Sequence, residues 1–161
     1  MAIAPNTTFV SGAILTAAQQ NAFGFGIVGR AVSSTDYTLT TSSVIATGMT
    51  VTFTAIANRF YKVTYFEPQV QTNNTLNAQT NTQIKLTSAA GTLLSQGYLQ
   101  TGQANYNTGT LNLVHTGTFT AGSVTVVGCA LSSSVSGSPV LGRGAAGAGN
   151  SLLLVEDVGP A

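Results

Sequence analysis

The stretch Met49-Thr50-Val51-Thr52-Phe53-Thr54-Ala55 decides the fold class, because an apolar residue occupies every odd position and a threonine every even one. Successive side chains of a strand point to opposite faces, so this alternation predicts a strand with one face in a core and the other in water. The next segment, residues 59–66 (RFYKVTYF), carries apolar residues at both parities. We expect this second strand to be covered on both sides, by sheet packing or by a subunit contact.

Further short strands follow at regular spacing along the chain. They are predicted at residues 83–87, 93–99, 111–114, 124–127 and 151–158. Ala90-Gly91 and Gly122 supply turns between them. About eight strands without an interspersed helical pattern predict an all-β fold, an antiparallel β-sandwich of jelly-roll type.

Residues 1–30 differ from the rest and predict a short N-terminal arm. Thr16 and Gln19 form a capping box that favours one small helix over residues 17–23, and Gly24 ends it. Either the arm packs on the chain's own domain or it docks onto a neighbouring subunit. Residues 31–161 then form the jelly-roll domain. The candidate anchor residues of the arm are Ile14, Leu15, Phe23, Phe25 and Ile27.

Neutral polar segments separate several of the strands. Residues 72–82 and 100–109 are rich in Asn, Thr and Gln, and residues 132–150 are rich in Gly, Ser and Ala. We expect all three to be loops at the ends of the sandwich. The candidate outward-facing residues of these loops are Asn73, Asn74 and Tyr106.

Charge is scarce throughout the chain. Only nine of the 161 residues are charged and the net charge is +1, whereas a typical soluble domain is about a quarter charged. This balance offers no field for nucleic acid or an anionic membrane, so neither is an expected partner. The longest strictly apolar run, residues 152–155, is far shorter than a membrane-spanning helix. Residues 1–5 lack the basic start of an export signal, so synthesis in a cytoplasm is expected.

The residues that usually perform catalysis are few and scattered. His115 is the only histidine, and Cys129, the only cysteine, lies in an apolar strand end that predicts a core position. Two glycine patterns, at 24–29 and 142–147, match the dinucleotide fingerprint but lack a strand before and a helix after. We therefore expect no enzyme, no metal site and no cofactor. Arg59 and Lys62 are interpreted as members of interface ion pairs.

Several segments resemble a group of small tailed-phage virion proteins. They are residues 49–55, 58–63, 84–86 and 120–126, the N-terminal stretch 12–21 (GAILTAAQQN) and the ending 151–161 (SLLLVEDVGPA). This resemblance implies a non-enzymatic structural protein located in the virion. Proteins of this group look like capsid decoration (cement) proteins or like minor tail and tail-fibre proteins.

The strand layout also resembles the trimeric jelly rolls of the tumour necrosis factor and complement globular-head type. In those proteins an aromatic-rich strand lies at the trimer interface and a final apolar strand closes the inner sheet. The resemblance implies a homotrimer. The candidate residues for the core or the three-fold contact are Phe60, Tyr61, Tyr65, Phe119, Leu152 and Leu154.

Two functions follow from these resemblances. A homotrimeric decoration protein would be anchored to the major capsid protein by its arm, and the absence of a long fibrous shaft in this chain favours that role. The alternative is a minor tail or tail-fibre protein that contacts other tail proteins and binds a host receptor or a host-surface glycan through the polar loops. A soluble carbohydrate-binding module is a third possibility.

Overall fold

A computed structural model of the chain describes residues 26–72, 75–100, 102, 107–136, 138–144 and 149–161. Within these residues the chain is all-β. The strands are β1 Gly26–Ser33, β2 Tyr37–Thr38, β3 Ile45–Ala55, β4 Arg59–Gln71, β5 Gln79–Leu86, β6 Leu93–Gln100, β7 Thr108–Thr118, β8 Gly122–Ser132, β9 Val140–Gly142 and β10 Ser151–Pro160.

The strands form two antiparallel sheets. Sheet 1 has the order β1-β10-β4-β9-β2, with β7 on the free side of β4, and sheet 2 has the order β3-β8-β5-β6. Strand β4 pairs with β10 as far as Phe66 opposite Leu152, and then with β9 from Gln69 opposite Gly142. Strands β9 and β10 therefore lie in line beside β4, and β2 lies in line with β1 in the same way.

Counting each in-line pair once gives eight strand positions. Sheet 1 contains the first, eighth, third and sixth positions, and sheet 2 contains the second, seventh, fourth and fifth. This is the strand order of a jelly roll, with two sheets whose inner faces form one core. The sequence-based prediction of an antiparallel jelly-roll sandwich is therefore confirmed. The predicted helix over residues 17–23 lies outside the described residues.

In β3 the stretch 49–55 alternates between core and solvent, as its sequence predicts. Met49, Val51, Phe53 and Ala55 are at most 5% exposed, while the intervening threonines face solvent. Opposite them, the core is filled from sheet 1 by side chains that share its inner face. These are Tyr61, Val63 and Tyr65 of β4, Leu113 of β7, and Leu153 and Val155 of β10. A smaller apolar cluster of Leu39, Val70, Ala130 and Leu141 continues the core toward β2 and β9.

The polar segment predicted as a loop over residues 72–82 is shorter than expected, because β5 begins at Gln79. Thr80 and Thr82 are fully buried. The β-branched threonine suits a strand, and the Thr80 hydroxyl lies 3.4 Å from the hydroxyl of Ser132 on the neighbouring β8. The segment over residues 132–150 likewise contains β9, so it is not loop throughout.

Cys129 is fully buried in β8, as its apolar neighbours predict. Burial raises the pKa of its thiol to about 11, although the charge of Lys85 acts in the opposite direction. The thiol therefore stays protonated at neutral pH, and a protonated thiol is a poor nucleophile. Among the described residues no helix is long and apolar enough to cross a lipid bilayer.

Candidate functional site

The outer face of sheet 1 is set by the side-chain alternation of β4. Tyr61, Val63 and Tyr65 point into the sandwich, so the residues between them point away from it. The sequence predicts a strand that is covered on both sides; the sandwich covers its inner side, and the cover of its outer side stays a prediction. The outward-facing residues of the strand are Phe60, Lys62, Thr64 and Phe66.

The strand register assembles these residues into rows that cross all four strand positions of sheet 1. The row nearest β9 is Val32, Leu152, Phe66 and Asn112, and the next is Arg30, Leu154, Thr64 and Val114. The third row is Ile27, Glu156, Lys62 and Thr116. Val158 and Phe60 lie beyond it at the end of the sheet.

Several large apolar side chains of this outer face are exposed. Ile27 is 63% exposed, Val114 48% and Val32 43%, and the central leucines and phenylalanines are only half-buried. Apolar area removed from water stabilises an assembly by about 25 cal/mol per Å². Exposed apolar side chains grouped on one face are typical of an interaction surface.

The outer face is also nearly neutral. Lys62 and Glu156 pair across β4 and β10, with their Nζ and Oε2 atoms 2.9 Å apart. Among the described residues of this face that leaves Arg30 as the one charge without an ion pair. A surface with balanced charges can approach an identical copy of itself without strong repulsion.

The structure separates the predicted core and interface residues into two groups. Tyr61 and Tyr65 are fully buried, and Phe119 is half-buried with its ring 5.7 Å from that of Phe53. The other three, Phe60, Leu152 and Leu154, lie on the outer face of sheet 1.

The remaining predicted site residues are mostly beyond the described part of the chain. Ile27, a candidate anchor, lies on β1, so the last residues of the predicted arm belong to a sandwich strand. The residues outside the described part are the anchors Ile14, Leu15, Phe23 and Phe25 and the loop residues Asn73, Asn74 and Tyr106.

A buried polar cluster, which the sequence did not predict, joins both sheets. Glu67 of β4 accepts hydrogen bonds from Arg143, Tyr65 and Ser151. The Arg143 Nε atom is 3.1 Å from Glu67 Oε2, and its Nη1 atom donates to the backbone oxygen of Thr47 on sheet 2 at 2.9 Å. The Thr47 hydroxyl lies 2.8 Å from the Tyr65 hydroxyl. The cluster thus ties the chain just after β9 to the centre of the sandwich.

The ionisation states in this cluster are fixed by its surroundings. Burial, followed by the negative charge of Glu67, raises the pKa of Tyr65 well above its usual value, so the phenol stays protonated and donates its proton. Burial alone would lower the pKa of Arg143, but its hydrogen bonds and charge attraction with Glu67 raise it. Because Glu67 and Arg143 are at most 1% exposed, the cluster supports the fold and offers no access to a substrate.

The sequence predicts that Arg59 and Lys62 take part in ion pairs at an interface. The structure places both of their ion pairs within the chain. The two residues lie on opposite faces of β4. Arg59 is buried and forms two hydrogen bonds with Asp157, at 2.6 and 2.8 Å. Asp157 and Glu156 are neighbours on β10 and therefore face opposite ways, which keeps the two ion pairs apart.

Other chemistry-bearing residues do not converge. His115 is half-buried on β7, with its ring 6.2 Å from that of Phe119. In the described part of the chain no three His, Cys, Asp or Glu residues come together as metal ligands would.

Comparison with known proteins assigns this chain to no family. No family model matches the chain, and no curated protein matches it. Solved structures with some likeness include dimeric latent PorU from Porphyromonas gingivalis, at 9% identity over 85% of this chain and a TM-score of 0.40. The chain spans 14% of the length of that PorU chain.

Two further solved structures also show some likeness to this chain. CsCBM6-3 from Clostridium stercorarium, solved in complex with cellobiose, is 20% identical over 87% of this chain and 95% of its own, with a TM-score of 0.29. The infectious bursal disease virus Gt strain structure is 12% identical over 86% of this chain and 38% of its own, with a TM-score of 0.26. At this level of similarity the fold assignment rests on the strand order described above.

Proposed function

We propose that this protein is a non-enzymatic virion structural protein that assembles as a homotrimer through the outer face of sheet 1. The observation that carries the proposal is the exposed apolar surface around Leu154 and Phe66, which a lone domain would leave in water. Burying it against further copies also accounts for a chain with few charged residues.

A second copy of this chain is the occupant that the charges favour. A self-contact brings identical groups together, so a face with several like charges would repel itself. Here Lys62 and Glu156 neutralise each other, and Arg30 lies on β1 at the edge of the sheet. The resemblance to trimeric jelly rolls supports three copies as the assembly.

The place of the trimer in the particle follows from the phage resemblance. We propose that it decorates a tailed-phage capsid and that residues 1–30 anchor it to the major capsid protein. Particles carrying hundreds of copies are expected for decoration. A few copies up to some dozens would instead place the protein in the tail, where it would be a minor tail or fibre protein.

The assembly is tested with charge insertions on the two outer surfaces of the sandwich. Leu154→Lys and the milder Val114→Lys place a cation on the outer face of sheet 1, whereas Thr52→Lys places one on the solvent-facing side of β3 and serves as the control. Sedimentation is expected to give three times the 16.3 kDa chain mass for the parent and for Thr52→Lys, and one chain mass for Leu154→Lys.

Circular dichroism of each variant is expected to show an intact sandwich, because the substituted side chains lie outside the core. A parent protein that is monomeric at all accessible concentrations would refute the proposal. So would a trimer that tolerates both Leu154→Lys and Val114→Lys.

A further inference from the structure

A polar cleft lies on sheet 1 where β4 passes from β10 to β9. Its volume is about 240 Å³. The residues that line it are Asp36, Gln69, Gln71, Val140 and Gly142. It lies beyond the last apolar row of the outer face.

The cleft exists because the register of β4 shifts between Glu67 and Val70. Val70 is fully buried in the small apolar cluster, so its neighbours Gln69 and Gln71 must point to the outside. Gly142 lies opposite Gln69, and a Cβ atom there would come within 2.5 Å of Gln69 Oε1. The bare backbone of Gly142 therefore lets the Gln69 side chain lie across β9.

The polar groups of the cleft have unused hydrogen-bonding capacity. Asp36 Oδ1 accepts the backbone N–H of Arg143, which fixes the carboxylate at the rim, and Oδ2 makes no hydrogen bond with a described residue. Within the described residues the carboxamides of Gln69 and Gln71 also form no hydrogen bond. One carboxylate and two carboxamides thus meet around one cavity beside the methyl groups of Val140.

This set of groups matches a polyhydroxylated ring. A carboxylate accepts from hydroxyls, and a carboxamide both donates and accepts, as neighbouring sugar hydroxyls do. The negative charge of Asp36 disfavours phosphate or sulfate, and a calcium ion takes six to eight oxygen ligands, which favours a site with more than one carboxylate. The volume lies below the roughly 300–1,000 Å³ of pockets for larger ligands, so it suits one ring rather than a long chain.

We propose that this cleft binds a single neutral sugar residue. The proposal does not depend on trimer formation, since every lining residue comes from one chain. The cleft is also a different site from the loop residues Asn73, Asn74 and Tyr106, which the sequence suggested for glycan contact.

The test is saturation-transfer NMR of the full-length protein with glucose, galactose, mannose and N-acetylglucosamine, each at millimolar concentration. At least one sugar is expected to receive saturation from the parent protein. The variant Gln69→Ala/Gln71→Ala is expected to bind it at least roughly tenfold more weakly, because several hydrogen bonds are lost. Gln100→Ala, an exposed glutamine on β6 of the other sheet, is the matched control and retains binding.

A second variant tests the cleft without removing a polar group. Gly142→Ala displaces the Gln69 side chain and is expected to weaken sugar binding while circular dichroism shows an intact sandwich. No transfer to any of the four sugars would overturn the proposal, and so would binding that persists in both cleft variants. A calcium titration that shifts cleft resonances in the absence of sugar binding would replace the sugar with a cation and refute the assignment.

Discussion

The two faces of β4 reverse the usual division between charged and apolar surface. Its inner face buries two charged residues, Arg59 and Glu67, beside two tyrosines. Its outer face presents Phe60 and Phe66 toward solvent. A strand of an isolated sandwich would normally carry the phenylalanines inside and the charges outside.

The difference shows that alternation alone does not identify the side of a strand that is buried. Inside, each charge is tolerated because a partner from elsewhere in the chain neutralises it, as Asp157 does for Arg59 and Arg143 does for Glu67. Outside, the apolar side chains are tolerated if another copy of the chain covers them. The inner charges therefore depend on their ion-pair partners, and under the proposed assembly the outer apolar side chains depend on a further copy of the chain.

The largest expected effect on stability comes from removing Arg143, the partner of the buried Glu67. Arg143→Met leaves the Glu67 carboxyl buried without its guanidinium partner, and we expect the free energy of unfolding to fall by about 3–5 kcal/mol. Denaturant unfolding followed by circular dichroism measures the loss. Arg30→Met, which removes an exposed arginine from the outer face, is the control and is expected to change it by about 0.5 kcal/mol or less.

The double variant Glu67→Leu/Arg143→Met sharpens this result, because it removes both charges together. Replacing a whole buried pair by apolar residues is often neutral, so we expect the double variant to be more stable than Arg143→Met alone. A double variant that is less stable than the single one would show that the cluster stabilises the fold by more than mutual neutralisation.

A smaller effect is expected from the tyrosine that shares this cluster. Tyr65→Phe keeps the ring in the core but removes the hydroxyl that donates to Glu67 and lies 2.8 Å from the Thr47 hydroxyl. The lost hydrogen bonds are expected to lower the free energy of unfolding by about 1–3 kcal/mol. The matched variant Tyr61→Phe removes a hydroxyl that accepts the backbone N–H of Ile56 at 2.8 Å, and it measures the effect outside the cluster. Equal losses in the two variants would contradict a special role for Glu67.

The smallest effect is expected on the outer face. Lys62→Met breaks the ion pair with Glu156, but the lysine side chain is 43% exposed, so its charge is screened by water and salt. We expect the free energy of unfolding to change by roughly 1 kcal/mol or less, with the difference shrinking as salt is added. A loss as large as that of Arg143→Met would show that the outer pair is far less screened than its exposure indicates.

Local patterns in the sequence were sufficient for the sandwich and for its central strands. The threonine alternation at 49–55 and the two-sided apolar run at 59–66 predict β3 and β4 with the observed faces. The Glu67–Arg143 pair could not be predicted this way, because the two residues are 76 positions apart and no local pattern links them. Their contact depends on β9 lying beside β4, which is a property of the whole topology.

The glycine-rich start of β1 was harder to interpret for a different reason. Closely spaced glycines usually indicate a turn or a flexible segment. Gly29 is instead a strand residue at a close approach between the sheets, where a Cβ atom would lie 2.3 Å from the Val51 side chain. The sequence alone does not distinguish a glycine required by packing from a glycine required by a turn. The polar cleft was also missed, because Gln69 and Gln71 look like ordinary solvent-facing strand residues.

The pairing of β1 with β10 also sets the order of events during biosynthesis. Strand β10 lies between β1 and β4 in sheet 1 and contributes Leu152 and Leu154 to the outer face. Pairing strands so far apart in the chain is slow, and here it waits until β10 has left the ribosome. Before that point a nascent chain has no complete outer face, so the proposed assembly through this face would follow the docking of β10.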